Sequence, residues 1–94
     1  MPGQLKRTLR LLNANFGKTC LYTKTGYQTK MTWSDLPGGN RSDSSDSHQT
    51  LLDGIHCEAT NTFYVLDFVH WNGMSYKETL LNRFENYEKS YHIK

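Results

Sequence analysis

Thr62-Phe63-Tyr64-Val65-Leu66-Asp67-Phe68-Val69-His70-Trp71 decides how this chain is read. The stretch is almost continuously apolar, and its aromatic and β-branched residues favour a pleated backbone over a helix. An uninterrupted apolar run of this length predicts a strand covered on both faces, which calls for a second layer of structure. Asp67 then has to be paired or hydrogen-bonded within that strand, so its expected role is structural. Glu58-Ala59-Thr60-Asn61 before the run predicts a short loop, and Asn72-Gly73 after it a turn.

Working outward, residues 49–57 predict a partner strand. Nearer the start, Arg7-Thr8-Leu9-Arg10-Leu11-Leu12 and Thr19-Cys20-Leu21-Tyr22-Thr23-Lys24 read as a hairpin across the turn-forming residues 13–17. Thr25-Gly26 predicts a second turn and residues 27–33 a third strand. Leu36-Pro37-Gly38-Gly39-Asn40 breaks regular structure, its glycines suiting positive φ. The Ser/Asp-rich residues 41–48 predict a mobile surface loop. Beyond Gly73, Ser75 with Glu78 has capping-box spacing. Leu80, Leu81, Phe84 and Tyr87 then share one face of a helix running to about Tyr87. The expected class is α+β, mostly antiparallel β, with one C-terminal helix.

The 94 residues bound the chain to one small domain or part of a larger one. Hydrophobic residues are 36%, low for a self-sufficient core, and aromatic residues 13%. That pairing suits a thin β-layer or a surface that stacks rings. A net charge of +2 is too mild to imply nucleic-acid binding by electrostatics alone. Locally, Lys6, Arg7, Arg10, Lys18, Lys24 and Lys30 fall in a first third without a single acid. Cys20 and Cys57 match no zinc or redox spacing and read as free buried thiols in a reducing compartment. His48, His56, His70 and His92 have no ligand spacing either, so no metal and no cofactor are expected. Nothing resembles a signal peptide or a membrane span, which predicts a cytosolic or nuclear protein and no membrane partner.

Several phrases, in one order over nearly the whole chain, resemble the snurportin family of nuclear import adaptors. They are Lys6-Arg7 opening a strand, Tyr22-Thr23-Lys24-Thr25-Gly26-Tyr27, Leu36-Pro37-Gly38-Gly39-Asn40-Arg41, Thr50-Leu51-Leu52-Asp53, Phe63-Tyr64-Val65-Leu66-Asp67, Trp71 with Gly73, and Arg83-Phe84. The resemblance implies part of a cap-binding domain similar to the nucleotide-binding half of guanylyltransferases and ligases. It implies binding of the trimethylguanosine cap of small nuclear RNA, importin-β and an export receptor as family partners, and shuttling between cytoplasm and nucleus. That fold family's catalytic Lys-x-Asp-Gly occurs nowhere here, so no enzyme activity and no catalytic residue are expected.

The family's importin-β-binding segment and the C-terminal half of its domain, with the main stacking tryptophan, are not matched in residues 1–94. The expectation is therefore a partial domain that does not engage the import receptors. Cap recognition needs cations for the phosphate bridge and π-faces for the base. The resemblance assigns the cations to Lys24, Arg7 and Lys6, with Tyr22 and Tyr27 as pocket lining. Lys6-Arg7 matches the family's Gly-Lys-Arg with the glycine displaced; counted back from Tyr22 without gaps, the pair falls two residues away. Trp33 and Trp71 read as core rather than stacking platforms. The alternatives are a truncated, non-binding piece of the same fold and a remnant of a nucleotidyltransferase-like enzyme.

Overall fold

The computed structural model describes residues 7–43, 47–75 and 90–94; the side chain of Arg7 is outside that description. Every described element is a strand: β1 (Arg7–Asn15), β2 (Lys18–Tyr22), β3 (Gln28–Thr32), β4 (Thr50–Cys57), β5 (Thr62–Trp71), β6 (Met74–Ser75) and β7 (Ser90–His92). They form one antiparallel sheet in the order β3-β2-β1-β4-β5-β6, with β7 also on β5.

The sheet curls until its far ends meet. β7 pairs with β5 through Thr62↔His92, Phe63↔Tyr91 and Tyr64↔Ser90. The next residue, Ile93, bridges to Ser34 just past β3. The Lys94 amide donates to the Trp33 carbonyl at 3.0 Å, and the Thr32 hydroxyl donates to the Lys94 carbonyl at 2.9 Å. The closing contact is a single bridge with its flanking hydrogen bonds, set just past the end of β3.

Alternation along each strand sends one set of side chains into the interior. Leu12 and Ala14 of β1 meet Leu21 and Thr19 of β2 on one side and Leu52 and Thr50 of β4 on the other. Phe63, Phe68, Trp71, Leu36 and Ile93 complete the core. Phe68 and Trp71 pack edge to face with ring centroids 5.6 Å apart, a favoured aromatic geometry.

The apolar run of β5 is therefore covered on one face, not two. Two register shifts against β4 leave Leu66 and Val69 without a partner opposite them. These bulges reset the alternation, so that Phe63, Val65, Phe68 and Trp71 all reach the interior despite unequal spacing. Leu66, pushed outward, is 62% exposed. Asp67 is also exposed, on the outer face opposite Asp53, and is not buried in the strand.

Among the described residues the α+β expectation is corrected to all-β: every described element is a strand and none is a helix. Asn72 (φ 54°) and Gly73 (φ 85°) make a tight turn of the kind that joins hairpin strands. The residues after that turn consequently form β6, with Met74 opposite Trp71 and Ser75 opposite His70. Ser75, expected as a helix cap, is a strand residue. The rest of the expected helix falls on residues 76–89, outside the described residues. The turn expected over residues 13–17 shortens to Phe16-Gly17, because Asn13 and Asn15 take outer-face positions alternating with inward Leu12 and Ala14.

The Leu36-Pro37-Gly38-Gly39-Asn40 loop plugs one end of the barrel. Gly38 has φ 86°, as the glycine reading expects. Gly39 lies against the buried hydrogen bond between the Thr19 and Ser34 hydroxyls (2.7 Å), and a Cβ there would come within 2.8 Å of Ser34 Oγ. The described flanks of the Ser/Asp-rich loop hydrogen-bond locally and to each other. Asn40 Oδ1 accepts from the Ser42 amide at 3.0 Å, and His48 Nδ1 lies 3.0 Å from Asp43 Oδ2.

Candidate nucleic-acid interface

The end of the barrel opposite that plug gathers the chain's early cations. It is built from the start of β1, the end of β2, the start of β3, the end of β4 and the turn into β5. Arg7, Arg10, Lys24 and Lys30 all belong to this rim, whereas Lys18 lies at the other end, opposite Asn15. Lys6 lies outside the described residues; Arg7 is placed through its backbone, opposite Cys57. The rim presents its charge in two places.

The first is the outer face. Register puts Tyr22, Leu11, Asp53 and Asp67 in one row across four strands. A neighbouring row holds Leu9, Ile55 and Tyr64, of which Leu9 is 50% and Tyr64 40% exposed. Lys24, just past β2, reaches over this face and hydrogen-bonds Asp53. The pair is partly solvent-exposed, with 49% of the Lys24 and 32% of the Asp53 side chain accessible. A pair this open contributes ~0–1 kcal/mol, so an anionic ligand can take the ammonium from Asp53 at little cost. Tyr22 lies beside it. Burial, then the neighbouring Cys20, raises its phenol pKa above the usual value of 10.0 and keeps it a neutral donor. Tyr27, at 74% exposure, stands clear of the sheet on the β2–β3 turn. The structure thus brings Lys24 and Tyr22 to one surface, beside flat apolar side chains.

The second place is the barrel mouth. Here Arg10, Lys30 and His56 surround a cavity of about 530 Å³. Asn61, with φ 54° in the β4–β5 turn, organises it. Its Oδ1 accepts from Lys30 Nζ at 2.8 Å and lies 3.0 Å from His56 Nε2, which must therefore carry a proton. Sequence reasoning did not single out this cluster; the only signal for it was the acid-free first third.

The tryptophans divide. Trp71 is core, as expected. Trp33 is not: it is half-buried, with the Arg41 guanidinium 4.4 Å above its ring centroid and Lys94 Nζ at 5.5 Å. That face is already used for cation–π contact. Cys20 and Cys57 are buried thiols. Among the described residues, no three or more His, Cys, Asp or Glu side chains converge in a way that could hold a metal ion.

Compared with known families, the chain matches the model described as Snurportin1, m3G cap-binding domain, over residues 5–89.

Proposed function

Because this chain belongs to the snurportin m3G cap-binding domain family, we propose that it binds the trimethylguanosine cap of small nuclear RNA as an adaptor for nuclear import of spliceosomal ribonucleoproteins. The observation that carries this reading is the family match across residues 5–89. The family is one of binding modules, and the function requires no catalytic group. A protein in this role shuttles between cytoplasm and nucleus.

Lys24 supplies the point charge for the phosphate bridge, released from Asp53 as the anion arrives. The family resemblance adds Arg7 and Lys6 as further cations for the phosphates. The Leu9, Ile55 and Tyr64 row gives the methylated base a flat apolar surface, and Tyr22 contributes a hydroxyl donor.

The test is a fluorescence titration with trimethylguanosine-capped and monomethyl-capped dinucleotides at two salt concentrations. The trimethyl cap is expected to bind more tightly, and more weakly as salt rises. Lys24→Ala is expected to weaken it roughly tenfold, the loss of about one partly screened, charge-assisted hydrogen bond. The fold should survive, since the surface ion pair contributes ~0–1 kcal/mol. Equal affinity for the two caps, or no change in Lys24→Ala, would overturn the reading.

A further inference from the structure

The mouth cavity lies on the opposite side of the β1–β2 hairpin from Lys24, and it has its own charge balance. Arg10 donates to a backbone carbonyl, that of Leu9, at 2.8 Å. Lys30 donates to the neutral amide of Asn61. Among the described residues no carboxylate lies within salt-bridge distance of either cation. Among the described residues that line the cavity, Glu58, exposed on the wall, is the one acid, so with Arg10 and Lys30 this described lining is net positive. Cations drawn partly out of water without a counter-ion favour an anionic ligand.

Size and lining narrow the ligand. About 530 Å³ fits a group the size of a nucleotide and exceeds what a lone ion needs. Among the described residues the lining has no phenyl, phenol or indole ring, its apolar members being Leu21 and Ala59. It offers hydroxyls from Thr29 and Thr60 and the amide of Asn61 instead. Base stacking needs π-faces, whereas sugar and phosphate need cations and hydrogen-bonding groups. Lys24 stands three residues beyond Leu21, about 10 Å along an extended chain, so one strand of RNA can cross the rim from outer face to mouth.

We infer that the barrel mouth, through Arg10 and Lys30, holds a ribose–phosphate unit of the RNA adjoining the cap, without regard to base identity. This rests on the cap-binding reading for its choice of RNA, but not for the anion site itself.

Four ligands test it on the whole chain: the capped dinucleotide, a short capped oligonucleotide, uncapped oligouridylate and oligoadenylate, and tripolyphosphate. The capped oligonucleotide is expected to bind more tightly than the dinucleotide. Arg10→Gln combined with Lys30→Gln should abolish that gain, make the salt dependence shallower by about 0.7 in log–log slope for the one phosphate held, and leave dinucleotide affinity unchanged. Oligouridylate and oligoadenylate should bind alike. Amide shifts of Thr29, Thr60 and Asn61 in the wild-type chain on adding oligouridylate report the same site without any substitution. No gain from RNA length, equal losses for dinucleotide and oligonucleotide, or unmoved Thr29, Thr60 and Asn61 amides would overturn the proposal. Tripolyphosphate matching RNA with no dependence on length would assign the site to free phosphate and overturn it as an RNA subsite. If the dinucleotide fails to bind while oligouridylate still does so through Arg10 and Lys30, cap recognition fails and the mouth stands.

Discussion

Phe63→Ala is expected to remove about 3–5 kcal/mol of stability, the usual cost of emptying an aromatic site in a packed core. Phe63 is completely buried and is the largest such side chain among the described residues. It stands on the inner face of β5 where three strands converge, opposite His56 on β4 and Tyr91 on β7. The ring therefore supports both the wall of the mouth and the strand that closes the sheet. A domain of this length is stable by roughly 5–15 kcal/mol, so the variant should be near the limit of folding at 37 °C. Urea unfolding monitored by circular dichroism measures it: the midpoint should fall sharply with little change in slope. Leu66→Ala, at a bulged and exposed position, should stay within about 0.5 kcal/mol. A Phe63→Ala loss as small as that of Leu66→Ala would mean that the interior is not built around this ring.

Gly54→Ala should cost about 3 kcal/mol for the opposite reason, overfilling. Gly54 is buried in β4, beside the register shift just after Asp53. A Cβ there would meet the Tyr64 carbonyl and come within 2.8 Å of Phe63 Cε2. The ring can yield, but the carbonyl belongs to the paired backbone of β5 and cannot. In a Phe63→Leu background the penalty should therefore shrink by about 1 kcal/mol but not vanish, a coupling that a double-mutant cycle resolves. Strict additivity would show that ring and glycine do not touch. Full recovery would show that the carbonyl is free to move.

Most of the sheet is legible from local pattern. Strands β2 to β5 are anticipated within a few residues, because β-prone residues gather there and Asn or Gly marks the turns. The expectation over β5 fails because a continuous apolar run reads as burial on both faces, when two bulges produce the same pattern with one face covered. The expected helix rests on Ser75 and the spacing of Leu80, Leu81, Phe84 and Tyr87. The Asn72-Gly73 turn outweighs the cap signal, because its dihedrals commit the adjoining residues to pair back onto β5. Strand β7 carries no local signal, being only three residues long.

The candidate site divides along the same line. Composition and motif alone give a basic, acid-free first third, the Tyr22-Thr23-Lys24 phrase and no Lys-x-Asp-Gly, and with them the cap-binding family that the match over residues 5–89 bears out; Lys24 is the residue that the resemblance proposes for the site. Those are properties of neighbours in the chain, which sequence records directly. That Lys24 rests on Asp53, that Lys30 and His56 meet on Asn61, and that Arg10 faces their cavity required the folded molecule. So did closure of the sheet through Ser34 and Ile93. Each of these joins residues on different strands, and strand pairing obeys register and curvature, which no short stretch encodes.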